Sequence, residues 1–201
     1  MNYPDFKTVK QLADSGDYAT VPMAVEMLSD CHTPITVLKA LKNVSTHVFL
    51  LESAEADRQW GRYSFLGYDP TLCITCRNGR MTLDAGSKMT VDTDHPGKAI
   101  RQIIADNRCP RVPGMPPFTG GLVGYFAYDY IKYSEPALRL DAEDSEGFND
   151  VDLMLFDKVI AFDHLRQRIV CIANIKTGQL ETAYNKGLRT LQDMVDLVQN
   201  G

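Results

Sequence analysis

The sequence predicts an α+β fold, with mostly antiparallel strands in a layered sheet or sandwich and helices packed outside it. Three observations carry this. A meander of alternating strands runs through residues 62–91 and is broken by Asn78-Gly79. That dipeptide suits a two-residue type I′ hairpin, whose central residues both need positive φ. Two apolar runs, Val159-Ile160-Ala161-Phe162 and Ile169-Val170-Cys171-Ile172-Ala173, read as buried strands joined by a hairpin loop over 163–168. Finally, Leu180, Tyr184, Leu188, Leu191, Val195 and Val198 form one apolar stripe on a helix over 179–199.

The other elements follow in order. Val9, Leu12 and Ala13 share a face of a short helix over 8–15, which Gly16 stops. Val21, Met23, Val25 and Met27 alternate as a strand, and Pro22 within it points to an edge. Thr33-Pro34 opens a helix, with Thr as N-cap and Pro where a missing N–H costs nothing. Val37, Leu38 and Leu41 are its buried face, and Asn43 is its terminator. Val48-Phe49-Leu50-Leu51 is an apolar run too short for a helix and reads as a strand buried on both faces. A strand over 62–66 and a turn at 67–70 lead into Leu72, Ile74 and Cys76, which alternate. Beyond the Asn78-Gly79 turn come Met81 and Leu83, then Ala85-Gly86 and a strand through Met89 and Val91. Asp94-His95-Pro96 opens a helix with Ala99, Ile100, Ile103 and Ile104 on its apolar face. The proline-rich stretch 109–117 is an irregular connection.

Residues 120–128 read as a strand studded with glycine, which marks a bulge or the close approach of another backbone. The acidic run over 141–152 reads as a solvated loop without EF-hand spacing. His95 belongs to a turn, and His164 to an exposed loop with no nucleophile or acid placed beside it by sequence.

With 201 residues, 44% hydrophobic and 23% charged, the chain has ample material for a core. A net charge of −5 argues against nucleic acid or an anionic membrane as the main partner. No apolar run is long enough to span a bilayer, and Met1-Asn2-Tyr3-Pro4-Asp5 lacks the pattern of a signal peptide. The expected location is therefore cytoplasmic. Five cysteines without regular spacing are not a disulfide framework. Cys73 and Cys76 have CxxC spacing, but three residues along a strand places them on opposite faces, with no second pair to complete a zinc set. No internal repeat or domain boundary is visible, and no P-loop, nucleophile elbow or metal motif is present. The residues alone favour a binding module over a catalyst.

Two blocks stand out. In the first, Leu50-Leu51-Glu52-Ser53 is followed by Gly61-Arg62-Tyr63-Ser64-Phe65. An acid and a hydroxyl follow an apolar strand directly, where they either bond nearby backbone or grip a small polar ligand. Arg62 is either a structural arginine or a partner for a ligand carboxylate. The second block is Pro117-Phe118-Thr119-Gly120-Gly121-Leu122-Val123-Gly124-Tyr125-Phe126-Ala127-Tyr128-Asp129-Tyr130.

Together these blocks resemble the N-terminal part of anthranilate synthase component I, and the likeness extends over essentially the whole chain. Members of that family are longer. The resemblance therefore implies that residues 1–201 are the N-terminal regulatory domain, inactive alone, with the chorismate-binding catalytic part outside it. It also implies a lyase that converts chorismate and ammonia or glutamine-derived nitrogen into anthranilate and pyruvate, the first step of tryptophan synthesis, inhibited by tryptophan. The implied partners are L-tryptophan, the chorismate-binding part and a glutamine amidotransferase subunit (component II). Magnesium is implied for the full enzyme and no cofactor for this part. The tryptophan site implied here is Leu51, Glu52, Ser53 and Arg62. Glu52 would accept the α-ammonium, Ser53 would bond either end of the zwitterion, Leu51 would begin the apolar wall for the indole, and Arg62 would meet the carboxylate. Two other readings remain open: the N-terminal part of aminodeoxychorismate synthase component I, and a free-standing amino-acid-binding module.

Overall fold

A computed structural model describes residues 2–52, 61–135, 137–138 and 144–201. The elements in chain order are β1 (Asn2–Tyr3), α1 (Phe6–Asp14), β2 (Thr20–Leu28), α2 (Pro34–Val44), β3 (Val48–Leu51) and β4 (Tyr63–Tyr68). Then come β5 (Leu72–Arg77), β6 (Arg80–Asp84), β7 (Lys88–Asp92), α3 (Pro96–Ala105), β8 (Gly121–Phe126) and a 3-10 helix at Tyr128–Tyr133. The last are β9 (Val151–Phe156), β10 (Lys158–Asp163), β11 (Arg168–Lys176) and α4 (Leu180–Asn200). The α+β expectation holds, and every strand pairing whose register is resolved is antiparallel.

The chain forms two compact units, Met1–Pro70, Asp106–Gly121 and Phe156–Gly201 in one, Thr71–Ala105 and Leu122–Leu155 in the other. No linker composition betrays this division. The units are built from interleaved segments, and the chain crosses from one to the other after Pro70, Ala105, Gly121 and Leu155.

The first unit holds a six-stranded sheet in the order β1-β2-β11-β10-β4-β3. Its strands alternate faces. Val21, Met23, Leu66, Ile160, Phe162, Ile169 and Cys171 pack on one side with Val9, Val37, Leu41, Leu191, Met194 and Val198 of the four-residue-periodic helix faces. Ala24, Val159, Ala161, Val170 and Ile172 face the other way, where Met115 and Phe118 of the proline-rich connection cover them. The Thr33 cap forms as the sequence indicates, with Thr36 returning the bond in a reciprocal capping box.

Pro22 does not make β2 the outermost strand, because β1 pairs with Val25 and Ala24. The residue opposite it, Asn174, sends its N–H to Asp157 O. Pro22 and Asn174 are thus a non-hydrogen-bonded pair, and the proline nitrogen faces away from β11.

β3 corrects a second expectation. It is an edge strand in which Phe49 is buried, whereas Leu51 is 49% exposed. An unbroken apolar run does not distinguish a central strand from an edge, since either satisfies the local pattern.

The second unit holds a five-stranded sheet, β7-β6-β5-β9-β8. Ile74, Cys76, Met81, Val151 and Leu153 form its core with Ile100 of α3, while Ile104 on that helix is 55% exposed. Asn78 and Gly79 have φ of 48° and 79°, as the hairpin requires. The glycine-rich strand stops at Phe126, before the predicted end at residue 128, and turns into the 3-10 helix.

One corner of the first unit carries a buried polar mismatch. Asn174 donates its Nδ2 to Thr119 O at 2.6 Å and to Asp157 O at 3.2 Å. Asn174 Oδ1 and Asp157 Oδ1 are buried without a partner among the described residues. Burial raises the Asp157 pKa, and the Lys158 charge opposes it without overcoming it. Because folding raises this pKa, the ionised carboxylate works against folding above it, and the penalty disappears as pH falls below the unfolded value. Asp157→Asn is therefore expected to raise stability by about 1 kcal/mol at pH 7. The gain should fade in urea titrations run toward pH 4, and an equal gain at both pH values would contradict it.

Candidate functional site

The antiparallel register of three strands assembles the predicted block into one corner. Leu51 pairs with Phe65, Phe162 with Ser64, and Asp163 with Tyr63. The end of β3, the start of β4 and the end of β10 therefore meet, and Glu52, Arg62, Ser64, Asp163 and His164 converge there. His164 N donates to Arg62 O at 2.9 Å, extending the ladder one step past β10.

Arg62 grips Asp163 with two parallel bonds, Nε to Oδ1 at 3.0 Å and Nη2 to Oδ2 at 2.6 Å. The Asp163 side chain is 6% exposed and that of Arg62 28%. Asp163 Oδ1 also accepts from the N–H groups of Leu165 and Arg166, both at 3.2 Å, which folds the turn after β10. Burial pushes the Asp163 carboxyl up, but the Arg62 bonds and those two N–H groups outweigh it, and its pKa is lowered. The Arg62 guanidinium lies 4.7 Å from the Tyr63 ring centroid.

A lowered carboxylate pKa stabilises the fold above the unfolded value, near pH 4, and the stabilisation is lost as pH falls through the folded value. Arg62→Met is expected to cost about 2 kcal/mol at pH 7, since it leaves a buried carboxylate without its counter-ion. The deficit relative to wild type should shrink as pH falls through the folded Asp163 value. Urea midpoints at several pH values measure this, and a deficit constant with pH would rule it out.

The second contact set is a relay of side chains. Ser64, 1% exposed, places Oγ 2.7 Å from His164 Nε2 and 3.5 Å from Glu52 Oε1. His164 is exposed as expected, yet a hydroxyl stands against it, and its ring stacks near Phe162 at 6.4 Å. The sequence puts His164 in an exposed loop with no partner beside it, because 100 residues separate it from Ser64. The only signal available was Ser64's place in the quoted block. Of the four predicted ligand residues, Leu51, Glu52 and Arg62 share this corner, and Ser53 lies outside the described residues. The structure commits part of Arg62 to Asp163, so two of its five donors are already used.

A separate concavity lies in the second unit, about 760 Å³ in volume and lined by Asn78, Tyr125, Tyr128, Lys132, Phe148 and Asp150 among others. Asp150, expected in a solvated acidic loop, is 4% exposed there and accepts three hydrogen bonds. The acidic run misled because sequence counts charges and does not show which carboxylate points inward. Asp144 behaves closer to expectation: it accepts from Gly147 N and Phe148 N and pairs with Arg77 at 3.2 Å. Among the described residues no three His, Cys, Asp or Glu side chains converge to hold a metal, and no helix is long and apolar enough to cross a membrane.

A model of the chorismate binding enzyme family matches residues 46–193, a span that includes both Glu52 and His164. The chain belongs to the chorismate binding enzyme family. Among its relatives in that family, anthranilate synthase component 1 of Acetivibrio thermocellus is 35% identical over 187 residues, covering 92% of this chain and 37% of the relative. The Acinetobacter calcoaceticus protein of the same name is 35% identical over 188 residues, covering 90% of this chain and 37% of the relative. The chain thus spans a little over a third of the length of these relatives. A solved structure, anthranilate synthase component I from Streptococcus pneumoniae TIGR4, superposes with a TM-score of 0.53 at 23% identity, over 87% of this chain and 38% of that one. At that identity the likeness concerns the fold of this chorismate-binding-enzyme chain alone.

Proposed function

We propose that this chain is the N-terminal, tryptophan-sensing part of an anthranilate synthase component I, itself inactive, located in the cytoplasm. Glu52 takes the α-ammonium of free tryptophan, Ser53 bonds an end of the zwitterion, and exposed Leu51 offers apolar surface to the indole. Arg62 approaches the carboxylate through donors that Asp163 leaves over. In this reading the lyase chemistry on chorismate, with magnesium, belongs to the remainder of the enzyme, and a glutamine amidotransferase subunit supplies nitrogen.

The observation that carries the reading is the corner itself. A glutamate follows the edge strand β3 beside a fixed arginine and a buried serine, and relatives named anthranilate synthase component 1 align across it. The site is half of a shared pocket. Losing several contacts of about 1 kcal/mol each weakens binding by orders of magnitude. Tryptophan titrated into this chain alone should bind weakly or undetectably, and tightly once the remainder is supplied, with Ser53→Phe abolishing the gain. Tight binding to the isolated chain, unchanged in Ser53→Phe, would refute it.

A second reading draws on the family match over 46–193, in which residues of this chain themselves meet chorismate. An anthranilate assay with chorismate, ammonia and magnesium separates the two. The first reading expects no product from this chain alone, the second a measurable rate.

A further inference from the structure

We propose that Ser64 and His164 are positioning residues for Glu52, a hydroxyl relay that holds its carboxylate ready for an ammonium group. The proposal rests on the tryptophan-sensing reading for its ligand but not for its geometry.

The argument is one of counting hydrogens. Ser64 Oγ carries one proton and has two side-chain neighbours, Glu52 Oε1 at 3.5 Å and His164 Nε2 at 2.7 Å. Ser64 is 1% exposed, so water does little to satisfy it. An ionised glutamate only accepts, whereas an imidazole nitrogen either donates or accepts according to tautomer. If Ser64 donated to His164, its lone pairs would face the Glu52 carboxylate with no hydrogen between them. If instead His164 Nε2–H donates to Ser64, the Ser64 proton is released toward Glu52, and both contacts are made with one hydrogen each. The contact to Glu52 is long, 3.5 Å, so it aims the hydroxyl at the carboxylate without the strength of a short charge-assisted bond. The arrangement therefore selects the Nε2–H form of His164 and aims the hydroxyl at Glu52.

Two features keep the parts in place. Phe162↔Ser64 and Asp163↔Tyr63 are adjacent steps of one ladder, and the His164 N–H bond to Arg62 O continues it. The ring of His164 also lies over Phe162 at 23°. Ser64 thus rides on β4, while Glu52 and His164 stand at the first positions beyond β3 and β10, where the ends of the strands hold them for recognition. The length of the 3.5 Å contact matters. Glu52 is exposed and its carboxylate sits at the limit of hydrogen-bond reach, so Ser64 competes with water to orient it.

The test reads the tautomer directly by ¹⁵N NMR of the histidine side chains in this chain. His164 is expected as the Nε2–H tautomer in wild type. In Ser64→Ala and Glu52→Met it should relax toward a mixture, because the acceptor chain that selects it is broken. A His164 in the Nδ1–H form, or an Nε2–H form indifferent to both substitutions, would overturn the relay. The ligand arm uses the chain supplied with the remainder of the enzyme. There Ser64→Ala and His164→Phe should each raise the tryptophan dissociation constant about 5-fold, the loss of one orienting contact. His164→Gln, which keeps a donor, should restore part of it. If both variants bind as wild type does, the relay does not position Glu52. If the complemented wild type binds no tryptophan, the functional reading falls, and the tautomer response alone decides the relay.

Discussion

Gly124→Ala is expected to destabilise the second unit by about 4 kcal/mol, enough to unfold much of it at ordinary temperatures. Gly124 lies in β8 with φ of +152°, a backbone region side chains rarely adopt. A Cβ there would stand 2.0 Å from Asp152 O and 2.9 Å from Leu153 Cα, both backbone atoms of the neighbouring strand. A flexible side chain could yield, but a paired backbone cannot without parting the strands. Gly86→Ala is the control. Gly86 also has positive φ, +90°, but nothing lies within 4 Å of its Cβ position, so only conformational strain of about 1 kcal/mol applies. Amide hydrogen exchange across β5, β6 and β9 in the two variants measures the difference. Equal loss of protection would show that the close approach contributes nothing.

Asp150→Ala is expected to cost about 3 kcal/mol. Asp150 accepts from Asn78 N, Lys132 Nζ and Tyr133 Oη, each at 2.7 Å, and Tyr133 Oη in turn accepts from Gly79 N at 2.7 Å. One buried carboxylate thereby ties the Asn78-Gly79 hairpin to the 3-10 helix. Removing it takes the acceptor from a phenol and a backbone N–H and leaves a half-buried ammonium with Asn78 Oδ1, 3.0 Å away, in place of its counter-ion. Burial pushes its pKa up, yet the bonds from Lys132, Tyr133 and Asn78 overcome this and lower it. Burial, then the bonds to Cys76 and Asp150, raises the Tyr133 phenol, which stays neutral and donating. Asp150 therefore stabilises fully above about pH 4, and the contribution drains away as pH falls through its folded value. Asp150→Leu combined with Lys132→Met should recover most of the loss, because the unpaired charge goes with its partner. Thermal or urea unfolding at pH 7 tests both. A double variant no better than Asp150→Ala would show that the cost lies in Asn78 and Tyr133 and not in the stranded lysine.

These two positions also show how far sequence reasoning reaches. The glycines at 120, 121 and 124 announced a close approach, and Gly124 meets the backbone of β9, but the partner strand was not named by any local pattern. Asp150 looked like one of several acids in a polar stretch, and its burial follows from the register of β9 against β5, which sets Val151 opposite Cys76. Met194, outside the apolar stripe that the sequence predicts for the closing helix, is fully buried, since helix periodicity gives a face but not its width. The candidate site divides in the same way. Glu52 and Arg62 were visible because they flank an apolar strand in a distinctive block. Ser64 and His164 gained meaning once β4 was set between β3 and β10.

Residues near one another in the chain were enough to settle the helix start at Thr33-Pro34, the hairpin at Asn78-Gly79, the alternation of β5 and β6 and the α+β class. Each of these depends on torsional preference, capping or side-chain period within a few residues, and those forces act whatever the rest of the molecule does. Adjacency of strands is another matter. The order β1-β2-β11-β10-β4-β3, the edge position of β3 and the interleaving of two units depend on which apolar faces bury one another across long separations. Many pairings satisfy the same local alternation, and the choice among them is made by burial summed over the whole sheet. The corner that joins Glu52 to His164 is a product of that choice.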